Sequence, residues 1–195
     1  MKIIRIVLCF LIILTFASCG KSEFMNLYAF TENYNKTADY KLNISDLTFK
    51  EGQKGIYTAF LGDIGNEILL TTKSKEDDII EEIQIFLIKE KKAPPSYKQT
   101  DLFRNVLMNT ISAFCSYEKD QTDNIISALT LYDNGSFLKN GELTLKQGNF
   151  YFVYYSTDLI SQVMIYNTYL HKIEATEKPV SKPYFSEDFI IKETP

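Results

Sequence analysis

Cysteine, histidine and tryptophan are scarce in this 195-residue chain, which has three cysteines, one histidine and no tryptophan. A single histidine, His171, is too few for a histidine-rich metal site or for the paired histidines of an HExxH protease. GxxxxGK[ST], GxGxxG and GxSxG are all absent, which removes the common phosphate-cradling loops and the nucleophile elbow. Cys9 and Cys19 fall in the first 20 residues, so Cys115 stands alone in the body and no disulfide can form within it. Beside Phe114 on an apolar helix edge, Cys115 reads as a small hydrophobe, since a reactive thiol needs an exposed electropositive setting. Nothing in the spacing brings Cys115 and His171 together as a dyad.

Long apolar runs are also missing. The one candidate, Ile6 to Phe16, has 11 positions, against the roughly 20 that a membrane-spanning helix requires. It follows Lys2 and Arg5 and precedes Ala17, Ser18 and Cys19, the order of an export signal. Phe16-Ala17-Ser18-Cys19 resembles the lipobox of bacterial lipoprotein precursors, with Phe16 where that family favours leucine. The resemblance covers only the first 20 residues. It implies removal of residues 1–18 as a signal peptide, acylation of Cys19 with lipid chains such as palmitate, and a cell-envelope protein held on the extracytoplasmic side of a bacterial membrane. Two or more acyl chains give stable anchoring. The alternative is an ordinary signal cleaved after Ser18, leaving Cys19 as a free thiol.

Loss of residues 1–18 removes Lys2 and Arg5, so the mature chain carries 19 basic against 25 acidic residues, a net charge of −6. With Arg104 then the only arginine, this balance opposes nucleic acid as a partner.

Along residues 19–174 the pattern predicts one α+β domain. Phe24, Leu27, Tyr28, Thr31 and Tyr34 recur at helical spacing, with Ser22 as the expected N-cap. Residues 43–49 read as a turn or short helix. Strands are expected over 56–61, 67–72 and 79–88, with 62–66 as a hairpin loop and 73–78 as a polar turn. Ala93-Pro94-Pro95-Ser96 breaks both periodicities. Beyond it Thr100 is the expected cap of a second helix, striped by Leu102, Phe103, Val106, Leu107, Thr110, Ile111 and Phe114. Strands follow at 141–146, 150–155 and 160–166, and residues 175–195, with Pro179 and Pro183, read as an extended tail.

The order of elements repeats. Ile44-Ser45-Asp46-Leu47-Thr48 is echoed by Ile126-Ser127-Ala128-Leu129-Thr130, and pairs such as Phe24/Phe103, Asn26/Asn105, Leu47/Leu129, Asn66/Asn149 and Ile85/Ile165 lie 79 to 83 positions apart, the drift falling in loops. The expected architecture is two tandem helix-plus-strands units, about 22–90 and 100–170, forming a two-layer antiparallel sheet with helices on one face. A saddle like that of the TATA-binding protein is one arrangement such a duplication allows, as an analogy of fold alone.

Candidate sites are few. Glu76, Asp77, Asp78, Glu81 and Glu82 could hold calcium, or form a solvated turn and strand face beside Lys73 and Lys75; no metal and no cofactor is expected. Phe150-Tyr151-Phe152-Val153-Tyr154-Tyr155 is apolar on both faces by alternation, and the neighbouring strand adds Met164 and Tyr166. With about two helices over perhaps eight strands, one sheet face is expected to lie open. Tyr151, Tyr155, Met164 and Tyr166 are then the candidate ligand-binding residues, for a peptide, glycan or envelope protein. The expected function is non-enzymatic binding at the membrane through lipidated Cys19. The alternative is a small envelope hydrolase whose carboxylate or Cys115 site assembles only on folding.

Overall fold

Isoleucine-rich and aromatic runs, separated by short glycine- and asparagine-containing turns, pair in a computed structural model into one antiparallel sheet. The structure describes residues 24–43, 48–49, 55–63, 67–74, 78–89 and 94–170. Cys19, Ser22, Glu76, Asp77, His171 and the tail 175–195 lie outside the described residues, and with them the expectations placed there.

The elements in chain order are α1 (Leu27–Thr37), β1 (Thr48–Phe49), β2 (Ile56–Leu61), β3 (Ile68–Ser74), β4 (Ile80–Ile88), α2 (Tyr97–Cys115) and α3 (Lys119–Ala128). A 3-10 turn (Asn134–Leu138), β5 (Gly141–Gln147), β6 (Phe150–Ser156) and β7 (Ile160–Asn167) complete them. Across the sheet the order is β1-β2-β3-β4-β7-β6-β5. Each half of the chain thus builds from an edge towards the centre, and the last strands of the two halves, β4 and β7, pair antiparallel through Glu82↔Tyr166 to Ile88↔Ile160.

Period-two alternation divides each strand between two faces. Ala59, Leu61, Ile68, Leu70, Ile83, Ile85, Leu87, Val163, Ile165, Phe152 and Tyr154 turn to the face that carries the helices, where they form one buried cluster with Phe30, Phe103, Leu107, Ile111, Ile125 and Ile126. Aromatic rings tie the layers together. Phe114 meets Phe30 at 6.4 Å and Phe150 at 5.3 Å, and Phe137 meets Phe103 at 5.6 Å and Tyr154 at 6.3 Å. All four contacts have the tilted or edge-on geometry that the ring quadrupole favours, each adding about 1 kcal/mol beyond area burial.

Local chemistry corrects several sequence expectations. The first helix is capped by Asn26, whose side chain accepts from Ala29 N at 2.8 Å, and Phe24 lies outside it, exposed. Just before that cap, Ile80 N donates to Met25 O at 2.9 Å, so the chain joins the sheet from Met25 onward. The second helix starts four residues earlier than expected, capped by Ser96 instead of Thr100. Ser96 accepts from Gln99 N while Gln99 Oε1 accepts from Ser96 N, a reciprocal capping box that outcompetes Thr100, whose hydroxyl turns back to Tyr97 O. Strand β3 continues through Lys73 and Ser74, which were expected in the turn.

A third helix, α3, occupies residues expected to echo the first half's turn, and among the described residues seven strands form, where about eight were expected over the whole chain. Within the proposed echo, Thr48 lies in a strand, whereas Thr130 sits in a turn with φ of 59°.

Candidate functional site

The face of the sheet turned away from the helices is the candidate site. Strand register sets its side chains in three rows. Phe60, Leu69, Phe86, Gln162, Tyr155 and Glu142 make the first, and Thr58, Thr71, Gln84, Met164, Val153 and Thr144 the second. Ile56, Lys73, Glu82, Tyr166, Tyr151 and Lys146 make the third. No described helix or strand lies over this face.

Its chemistry is divided along a diagonal. Leu69, Phe86 and Ile160 form one buried apolar cluster, and Val153, Met164 and Tyr166 form another with Tyr151 packed beside it. Between them runs a polar seam. Gln162 Nε2 donates to Gln84 Oε1 at 2.9 Å, and Gln84 Nε2 donates in turn to Glu82 Oε1. Gln162 Oε1 and Thr71 Oγ1 are buried with no hydrogen-bond partner. A buried amide oxygen left unpaired costs about 1 to 3 kcal/mol, so this seam is poised to accept an N–H or O–H donor. At its lower end the register slips between Lys73 and Ser74, and Glu81 pairs with Lys73 Nζ at 3.0 Å.

All four sequence-predicted residues share this face. Register aligns Tyr151 with Tyr166, Val153 with Met164, and Tyr155 with Gln162. Tyr151 and Tyr155 are half-buried, and Lys146 Nζ lies 5.4 Å from the centre of the Tyr151 ring, a cation–π contact at the rim. Met164 and Tyr166 are buried at 4% and 1% exposure, with the Tyr166 hydroxyl donating to Met164 Sδ at 3.2 Å. They form the floor of the site, and the two half-buried tyrosines form its accessible margin.

The seam residues Gln84, Gln162 and Thr71 were not singled out from sequence. Their signal was present: glutamine inside two isoleucine-rich strands is out of place in a core, and in each strand it falls on the parity that faces away from the helices.

A second polar group sits where β4 ends. Lys89 Nζ donates to Ser156 Oγ at 2.8 Å and to Thr157 O at 2.7 Å, and Ser156 Oγ lies 3.1 Å from Ser161 Oγ. Burial lowers the Lys89 ammonium to about 8, against a smaller opposing pull from Asp158.

Other candidates are inert or occupied. Cys115 is buried, and desolvation pushes its thiol well above the usual range. Arg104, considered as a phosphate grip, is buried and spends its guanidinium on Asn134 Oδ1 at 2.8 Å and Leu131 O at 3.2 Å. Among the described residues, no group of three or more histidine, cysteine or acidic side chains could hold a metal ion. No described helix is long and apolar enough to cross a membrane.

No protein-family model, curated protein or solved structure matches this chain.

Proposed function

We propose that this chain is a non-enzymatic, lipid-anchored protein of the bacterial cell envelope, whose sheet face opposite the described helices binds an extended polypeptide segment. One observation carries the reading: a buried polar seam with an unpartnered acceptor, Gln162 Oε1, runs between two apolar clusters. An extended chain alternates backbone amides with side chains, so its N–H groups suit the seam and its side chains suit the clusters on either side. The aromatic margin at Tyr151 and Tyr155 adds rigid contact area at low entropic cost.

The anchor reading rests on the lipobox-like residues and sets the location. Met25, six residues past Cys19, already accepts a backbone hydrogen bond from the sheet residue Ile80, and this short spacing would hold the domain close to the bilayer surface, where it meets partners in or just above the same membrane. The same reading takes the two halves as copies of one ancestral unit, supported by the strand order that mirrors about β4 and β7.

Two measurements test it together. Intact mass of the membrane fraction should give a lipid-modified Cys19, and Cys19→Ser should release the protein from membranes. A photo-reactive residue placed at Tyr155 in the lipidated chain should crosslink a discrete envelope polypeptide, and Gln162→Leu should abolish the adduct. Crosslinking that is absent, or indifferent to Gln162→Leu, refutes the binding face.

The hydrolase alternative draws on one observation, the 2.8 Å contact between Lys89 Nζ and Ser156 Oγ. Ser156 is only 1% exposed and Ser161 is fully buried, so, as at Gln162, a ligand reaches either hydroxyl only after local opening. A serine-directed fluorophosphonate that labels Ser156 in the folded protein would restore the alternative.

A further inference from the structure

We propose that β5 is a dimerisation edge, where a second copy of this chain pairs its own β5 antiparallel about a two-fold axis through Thr144. This pairing does not depend on the polypeptide-binding reading.

The edge itself is the first observation. β5 ends the sheet on one side, and its register to β6 runs without a slip from Gly141↔Ser156 to Gln147↔Phe150. Sheet edges are usually blunted by a proline, a bulge or a very short strand. β5 has seven residues, no proline and no bulge, and among the described residues nothing pairs with its outer side. Leu143 on this strand is 40% exposed, and a Cβ added at Gly141 would meet no atom within 4 Å.

Ladder parity shows which backbone groups are offered. Thr157 N donates to Ile160 O and Thr168 N to Asn149 O, so odd-numbered residues at the two ends of β6 bond towards β7. The even-numbered residues of β6 then bond β5, where their partners are Gly141, Leu143, Leu145 and Gln147. The N–H and C=O groups of Glu142, Thr144 and Lys146 therefore point away from the sheet.

Charge names the partner. Glu142-Leu143-Thr144-Leu145-Lys146 is complementary to itself when turned antiparallel about Thr144. Glu142 then faces Lys146 of the second copy, Leu143 faces Leu145, and Thr144 faces its own counterpart. The same register lets every outward N–H and C=O of these three residues find a partner on the other edge. A parallel pairing in register, or a slide that centres on Glu142 or Lys146, sets like charges opposite each other, which is destabilising. Among the described residues neither Glu142 nor Lys146 has an oppositely charged partner in its own chain, so both charges remain to be used. The interface is isologous, as a closed dimer requires. It joins the two sheets edge to edge, with both helix layers on one side and both polar seams on the other.

The test uses the full chain in native membranes, carrying Cys115→Ala and Thr144→Cys. In the proposed register the two Cα atoms at position 144 stand about 5.5 Å apart, within reach of a disulfide. Mild oxidation should link two copies through that position, identified by the mass of the linked peptide. Linkage should be at least about tenfold faster than with Lys139→Cys instead, which lies five residues from the axis and out of disulfide reach. Adding Glu142→Lys should slow it at least about tenfold, and adding Lys146→Glu to that variant should restore it. This recovery also guards against misfolding of the single reversal. Equal rates at 139 and 144 mean chance collision, and indifference to Glu142→Lys means another register. Either result overturns the proposal, as does failure of the double reversal to recover, linkage to a different protein, or no linkage.

Discussion

Gln162 and Gln84 meet side chain to side chain at 2.9 Å across the junction of β7 and β4, the only place among the described residues where the two halves of the chain pair their strands. The bond uses the Gln162 amide as donor and strands its oxygen in a buried setting. Two isoleucines here would stabilise the sheet more simply. On the proposed reading, this polar junction at the centre of the face serves recognition at a cost in stability.

Gln162→Leu should therefore separate binding from stability. The substitution removes one buried orphan, Gln162 Oε1, and creates another at Gln84 Oε1, so the two effects largely cancel. Urea unfolding should change by less than about 1 kcal/mol, while photo-crosslinking from Tyr155 is lost. A loss of several kcal/mol would mean that the seam is chiefly structural.

Lys89 should imprint a rising limb on the pH dependence of stability. Its ammonium is lowered from 10.5 to about 8 in the fold, so between those values the unfolded chain binds more protons and stability increases with pH. Cys115 opposes this, because its raised thiol lets the unfolded chain lose a proton first. In a Cys115→Ala background, stability should climb from about pH 8 to pH 9.5, below tyrosine ionisation. Lys89→Met should flatten that slope whatever it does to the baseline.

Arg104→Ala should destabilise the protein by about 2 to 4 kcal/mol. The guanidinium is the donor that Leu131 O and Asn134 Oδ1 share, and it fastens α2 to the turn after α3. Thermal unfolding should drop accordingly, and a change within about 0.5 kcal/mol would contradict the buried clasp.

Gly55→Ala should also be costly. Gly55 holds a φ of 77°, and a Cβ there would stand 2.3 Å from Ser74 O, a backbone atom tied by Ser74 N donating to Gly55 O at 2.6 Å. A loss of about 1 to 3 kcal/mol is expected, read by urea denaturation; an unchanged midpoint would show that the hairpin opening relaxes freely.

Strands were legible because β-branched and aromatic residues concentrate where backbones pair: 56–61 matches residue for residue, and 150–156 and 160–167 to within one. Helix starts were less so. Ser22 and Thr100 are chemically adequate caps, but the choice of Ser96 depends on Gln99 reaching back to it, and that of Asn26 on a neighbouring bridge to Ile79. Helix α3 was missed because Lys119-Asp120-Gln121-Thr122-Asp123-Asn124 carries almost no apolar stripe. It is held by Thr122, Ile125 and Ile126 against the core.

By itself the sequence determined the α+β class, the aromatic face on which Tyr151, Tyr155, Met164 and Tyr166 align, and the lipobox-like start from which the anchor is proposed. Alternation along a strand is a local property, so side-chain parity can be read from letters alone. Only tertiary structure decided that β4 pairs with β7, which brings Gln84 to Gln162 over a sequence separation of 78. Burial, hydrogen-bond satisfaction and the division of the face into two clusters and a seam all follow from that long-range pairing, which no local pattern encodes.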